Sequence, residues 1–286
     1  MGRQTAKEWV GRTKPILSFF KVMGILNVTP DSFYDGGKYS RLDQAVRRAG
    51  KMAEEGADIL DVGGESSRPG AEAVSIKEEC SRVVPVVRAL AARFPKLQIS
   101  VDTCKPEVAR RALAEGATMV NDISALADPR MAAVISEYRP WVVLMHMKGS
   151  PKTMQKQAHY KNVVLEVKNF LSNRIRRAAA LGLDRGKIIV DPGIGFGKTA
   201  QHNLQLLGGL KSFLSLGCPV LVGCSRKSFI GAVWGGEGAP LPAEERLEGS
   251  LICAAWAYRQ GASILRVHDV GATLKALRMA DALAAA

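Results

Sequence analysis

The sequence predicts an α/β protein built as a single (β/α)8 TIM barrel with a parallel eight-stranded core. Three observations carry that prediction. Eight short apolar runs recur along the chain, helical patterns lie between them, and a polar residue falls at or just past the C-terminal end of each run. Apolar runs of this length read as strands buried on both faces, as a parallel sheet requires.

Taken in order, the predicted strands are 22–28, 58–62, 98–102, 119–123, 141–146, 187–191, 219–223 and 263–267. Helical segments with apolar residues three and four apart lie near 41–55, 76–93, 106–115, 129–137, 160–181, 202–215, 244–260 and 270–284. Several end at a glycine ahead of the next strand, as at Gly56, Gly116 and Gly261, where a left-handed cap costs least without a Cβ. Eight such units favour closure into a barrel. An open doubly wound sheet is the alternative, but it needs no regular eightfold count. The 286 residues suit one barrel domain, 21–286, behind a lead-in segment, 1–20.

Hydrophobic residues make up 47% of the chain and charged residues 23%, which fits a soluble globular protein. The net charge of +13 suits an anionic partner, and its distribution decides which kind. The densest basic cluster, Arg174, Arg176 and Arg177, shares a helical stretch with Glu166 and has no aromatic interleaving, so it reads as a solvated helix face rather than a nucleic-acid surface. Five cysteines, odd in number and without metal-site spacing, argue against a disulfide framework and fit a reducing cytoplasm. No apolar stretch approaches the length of a signal core or a membrane span.

The strand-end residues Asn27, Asp61, Asp102, Asn121, His146, Asp191, Arg226 and His268 would gather on the face where barrel enzymes build their sites. Asp102, Asn121 and Asp191 would be costly to bury without a ligand or network, and together they suit a planar heterocycle bearing amino and ring N–H groups. Hydrogen bonding to neighbouring loops stays open for Asp61 and Asp122. The loop 27–37 is long and rich in glycine and hydroxyls, as lids often are. The loop 63–70 joins close-approach glycines to Arg68, whose planar fork matches phosphate or carboxylate oxygens. Segment 191–198 resembles a phosphate-binding glycine loop but lacks the Walker spacing, since its glycines fall at 193, 195 and 197. Residues 225–228 follow the seventh strand and Arg266 and His268 end the eighth, where barrels often bind phosphate. Cys104 and Cys224 have no adjacent base and read as packing residues. His159 and His202 read as surface or capping residues.

The stretches 23–33, 61–70, 191–198, 225–228 and 266–269, in this order, resemble the signatures of the dihydropteroate synthase family over most of the chain. That resemblance implies a cytoplasmic homodimer that condenses 6-hydroxymethyl-7,8-dihydropterin diphosphate with p-aminobenzoate, with Mg2+ bound and pyrophosphate released, and that is sensitive to sulfonamides. It also implies roles. Asp102, Asn121, Ile123, Met145, Asp191, Gly223 and Lys227 match the pterin pocket. Phe33, Ser67, Arg68, Pro69, Phe196, Lys227 and Ser228 match the p-aminobenzoate side. Asn27, Ser67, Arg68, Arg266 and His268 match the diphosphate positions, with Asn27 also at the metal and Asp35 among the catalytic positions. Ser67 stands where many members have threonine, Cys104 replaces a commoner serine, and Cys224 is a further local variation. A methyltetrahydrofolate-dependent corrinoid methyltransferase would share the acidic and amide pterin contacts but would not require residues 225–228, Arg68 or the 266–269 ending. A non-catalytic pterin-binding paralogue would lack the diphosphate residues.

Overall fold

The computed structural model describes residues 20–29, 38–67, 70–150, 152–154, 158–236 and 238–286. The eight strands are β1 (Lys21–Asn27), β2 (Ile59–Gly63), β3 (Gln98–Asp102), β4 (Met119–Asp122), β5 (Trp141–Met145), β6 (Ile188–Asp191), β7 (Leu221–Val222) and β8 (Ile264–Val267). All pair in parallel, in the order β6-β5-β4-β3-β2-β1-β8-β7. The parallel bridge between Val190 and Val220 brings the two ends together, with Val190 N donating to Pro219 O at 2.9 Å. The sheet is thus a barrel, as the eightfold count predicts.

Side chains alternate along a strand, and that alternation sorts the core into two. Met23, Ile59, Met119, Val143, Ile189, Leu221 and Ile264 fill the barrel interior. Their neighbours in sequence, such as Val22, Leu60, Val120, Val142, Ile188 and Leu265, face outward into a larger core beneath the helices. Each buried aliphatic side chain contributes roughly 1.5–3 kcal/mol. Two residues beyond the inner layer, the same face carries Asp61, Asn121, Met145, Asp191, Gly223 and Arg266. The packing that makes the strands straddle two cores also aims these side chains into the barrel mouth.

Helices α1 (Lys38–Glu55), α2 (Ile76–Arg93), α3 (Pro106–Ala114), α4 (Pro129–Tyr138), α5 (Val163–Ala180) and α6 (Ala200–Gly208) cover the outside with α8 (Leu247–Arg259) and α9 (Val270–Ala285). Their starts are written locally. Ser75 Oγ accepts from Glu78 N at 3.2 Å to open α2, and Asp128 caps α4 ahead of Pro129 at its first position. Two expectations change. The helix expected over 202–215 ends at the weak helix formers Gly208 and Gly209 and continues as a 3-10 segment, Leu210–Leu216. After β7 comes a short helix, α7 (Ser228–Gly235), in a region the sequence leaves as loop. The lead-in lies outside the described residues except Phe20, whose ring meets Tyr258 edge-on at 4.7 Å. Among the described residues no helix is long and apolar enough to cross a membrane.

Candidate functional site

The register sets the site's geometry: Gly63 pairs with Asp102, and Asp102 with Asn121, so residues from β2, β3 and β4 stand level at the mouth. Arg266 rises between them from β8. Its Nε donates to Asp61 Oδ2 at 2.6 Å and its Nη2 to Asp102 Oδ2 at 2.7 Å. Asn121 Nδ2 donates to the same Asp61 oxygen at 3.1 Å. Burial pushes Asp102 up to about 7, with Arg266 pulling the other way. The two acids in turn raise the pKa of Arg266 against the effect of its burial. A guanidinium shared by the buried Asp61 and the largely buried Asp102 offsets part of the cost of placing all three there, although Asp61 Oδ1 keeps no partner among the described residues.

On the opposite wall, Asp191 ends β6 and its Oδ1 accepts from Gly193 N at 2.7 Å. Burial raises its pKa, with Lys227 opposing. Lys227 comes in from the loop after β7, donates to Ile194 O and lies 4.4 Å from the centroid of the Phe196 ring. Its own pKa falls to about 8 through burial, with Asp191 acting against the fall. Ile123 follows β4, Met145 ends β5 and Gly223 follows β7, all at the same C-terminal end of the barrel. The mouth therefore offers carboxylates on two sides, an amide, an ammonium and a flat aromatic edge. That combination matches the donors and acceptors of a planar heterocyclic ring.

His268 lies beside this mouth, its Nδ1 3.0 Å from Ser225 Oγ. Ser228 opens α7 and is exposed, and Ser67 is half-buried on the loop after β2. Phe33, Asp35, Arg68 and Pro69 lie outside the described residues. Asn27 ends β1 with its Oδ1 3.6 Å from where a Cβ on Gly63 would sit, the same distance as Asp102 Cβ. Among the described residues no group of three or more His, Cys, Asp or Glu could cage a metal. One amide oxygen at an open mouth fits Mg2+ in the way that ion is often held, by few protein ligands, several waters and a substrate phosphate.

Several strand-end residues serve the scaffold instead. Asp122 accepts from Ser124 N, Ser124 Oγ and Leu126 N, at 2.8, 2.6 and 2.7 Å, which makes it a loop-fixing residue. Asp61 is no loop fastener, because its partners are Arg266 and Asn121 inside the barrel. Arg226 forms a two-pronged pair with Asp269 at 2.8 and 3.0 Å. The phosphate-loop likeness of 191–198 dissolves as well. Lys198 turns inward, donating to Gly193 O at 2.8 Å and Phe196 O at 2.9 Å, with its Nζ 3.0 Å from His146 Nδ1. Burial, then Lys198, drives the His146 pKa down to about 3, so the ring is a neutral partner of that lysine. His202 completes a capping box with Thr199, as a capping residue should.

Fold and site together define a (β/α)8-barrel enzyme that holds a flat, nitrogen-rich ligand at its C-terminal mouth. Residues 23–268 match the pterin binding enzyme family. The chain is 49% identical to the dihydropteroate synthase of Escherichia coli K12 over 266 residues, 93% of this chain and 92% of the relative. The Yersinia pestis dihydropteroate synthase in a sulfonamide drug complex superposes with a TM-score of 0.87 at 45% identity, covering 94% of this chain and 96% of that one. The Xanthomonas albilineans dihydropteroate synthase with 4-aminobenzoic acid also gives 0.87, at 47% identity and 94% of each chain. This chain belongs to the dihydropteroate synthase family of pterin-binding enzymes, a family of transferases.

Proposed function

We propose that the chain joins the methylene carbon of 6-hydroxymethyl-7,8-dihydropterin diphosphate to the amine of p-aminobenzoate through the residues gathered at this mouth. The observation that carries the assignment of roles is the placement of Asp102, Asn121, Asp191 and Lys227 around one space beside Arg266. In this reading the carbon–oxygen bond to the diphosphate breaks first, and its electron pair leaves with pyrophosphate. The electron-rich pterin spreads the positive charge left on the methylene, and Asp102 and Asp191 favour that charge. The aniline nitrogen of p-aminobenzoate then forms the new carbon–nitrogen bond and loses a proton to water.

Arg266 and His268, with Arg68, take the departing diphosphate, and Asn27 would hold the metal. When bound, Mg2+ supplies charge neutralisation for the leaving group. Ser67, Pro69, Phe196, Lys227 and Ser228, with Phe33, form the p-aminobenzoate side, and Asp35 belongs with the catalytic set. A second copy of the chain is the expected partner, supported by the exposed Val233, Trp234, Ile252, Trp256, Met279 and Leu283 on the neighbouring helices α7, α8 and α9. The free cysteines suit a reducing cytoplasm. Purified protein given both substrates and Mg2+ should release pyrophosphate and form dihydropteroate together. No pyrophosphate from both substrates, or pyrophosphate without any dihydropteroate, would count against this function.

A further inference from the structure

The loop after β2 carries Ser67, Arg68 and Pro69, and its root is fastened by residues that none of the roles above includes. Gly64 sits directly on α2: a Cβ there would come 2.7 Å from Val83 Cγ2 and 3.1 Å from Glu79 Cγ. Its carbonyl accepts from Arg82 Nη1 at 2.8 Å. The next residue, Glu65, divides its carboxylate. Oε1 accepts from Val74 N at 3.1 Å, which joins the two ends of segment 65–74, and Oε2 takes the ammonium of Lys105. Lys105 comes from the turn after β3, three residues past Asp102, and pairs also with Glu79 of α2. The other oxygen of Glu79 accepts from Thr103 Oγ1 at 2.6 Å.

Glu79 has no exposed surface. A carboxylate there is an expensive choice for packing alone, since a buried charge needs a partner and often stabilises less than an apolar side chain of similar volume. What the charge does provide is direction. It holds one ammonium between two carboxylates from different elements, so that the loop after β2 is fixed to the turn that follows Asp102. Burial opposes the charge on Lys105, but Glu65 and Glu79 raise its pKa.

We propose that Glu65, Lys105 and Glu79 are positioning residues for the p-aminobenzoate side, fastening the root of the loop that leads to Ser67 against the turn that follows Asp102. The inference rests on the function proposed above and names residues outside the substrate-contact roles given there. It separates the two substrates. Loosening the cluster should affect the ligand met by the loop and spare the one held inside the barrel.

The test uses the full chain, with steady-state kinetics in p-aminobenzoate at saturating pterin diphosphate and, in parallel, calorimetry with 6-hydroxymethylpterin. In Lys105→Met the KM for p-aminobenzoate should rise about tenfold while pterin affinity changes less than about twofold. Lys105→Arg, which can keep both pairings, should recover most of the loss. Glu65→Gln keeps Glu79 paired with Lys105 and keeps an oxygen for Val74 N, so it should remain folded and show a smaller rise of the same kind. Equal losses for both ligands in Glu65→Gln would show a general structural role and overturn the proposal, as would an unchanged KM. Wild-type protein that releases no pyrophosphate from both substrates would overturn the functional reading itself, and this inference with it. An active wild type beside Glu65→Gln with an unchanged KM would overturn the inference alone.

Discussion

Arg266 Nε lies 2.6 Å from Asp61 Oδ2, an ion pair between residues 205 apart in sequence and brought together by strands that flank β1. The second prong of the same guanidinium reaches Asp102 at 2.7 Å. The role proposed for Arg266 at the end of the eighth strand is to take the leaving group, and on that role alone its removal would be expected to spare free pterin. The pairing with Asp102 changes that expectation. Arg266→Ala leaves two buried carboxylates without their cation, which costs on the order of 3–5 kcal/mol. Urea unfolding should show a loss of that size, and calorimetry should find pterin and pyrophosphate binding both weakened. Unchanged pterin affinity would mean that Asp102 keeps its position without Arg266.

Lys227 sets a pH limit. Its pKa of about 8 lies below the ordinary 10.5 because of burial, so the ammonium needed to meet a ring acceptor is lost above that point. Pterin affinity should therefore fall as pH rises through about 8, and Lys227→Met should bind weakly but without that slope. Stability runs the other way. The folded pKa is below the unfolded one, so the unfolded chain holds the proton between about 8 and 10.5 and this group's contribution to stability rises with pH across that window. A pterin-binding profile that keeps its alkaline limb in Lys227→Met would assign the limb to another group.

Two glycines with similar backbones separate strain from contact. Gly182 has φ +79° and nothing within 4 Å of a built Cβ, whereas Gly193 has φ +69° and would place its Cβ 1.9 Å from His146 O. Gly182→Ala should cost about 1–2 kcal/mol, the left-handed penalty alone. Gly193→Ala must also displace the backbone of the loop that holds Asp191 and Lys198, so it should cost several times more and abolish pterin binding. Chemical denaturation of the two variants side by side checks the ratio. Equal losses would show that the loop yields freely around His146.

These residues mark how far the sequence could be read. The eight strands were legible because each is buried on two faces, and the polar strand ends were legible because barrel sites collect there. Ile59 and Asp61, Met119 and Asn121, Ile189 and Asp191, and Ile264 and Arg266 are pairs two apart on one face, so the inner layer and the mouth above it follow from alternation. What alternation cannot supply is who pairs with whom across the barrel. Arg266 with Asp61, and Lys105 with Glu65 and Glu79, join residues far apart in the chain. Lys198 misleads for a similar reason: a lysine after three glycines looks ready for phosphate until the carbonyls of Gly193 and Phe196 are seen folded around it. Helix α7 was missed because its eight residues begin within the polar 225–228 stretch and end at glycines.

Sulfonamides should inhibit in competition with p-aminobenzoate, since a sulfonamide copies the aniline and places a sulfonyl group near where the carboxylate lies. The Yersinia pestis relative is known in a sulfonamide drug complex. Contacts at the edge of the pocket must tell the two ligands apart, and one methyl or small packing change there is worth only about 1–3 kcal/mol. The Lys227 ammonium lies 4.4 Å from the centroid of the Phe196 ring, a member of the proposed p-aminobenzoate side. Ser67 is the variable member. It keeps the hydroxyl of the threonine common in the family and lacks its methyl, so Ser67→Thr should alter the inhibition constant by no more than about tenfold and leave the KM for p-aminobenzoate nearly the same. Inhibition measured at several p-aminobenzoate concentrations decides the matter. Lines that share an intercept on the rate axis of a double-reciprocal plot are expected. A sulfonamide without effect well above the substrate's half-saturation concentration would show that the edge of this pocket already discriminates.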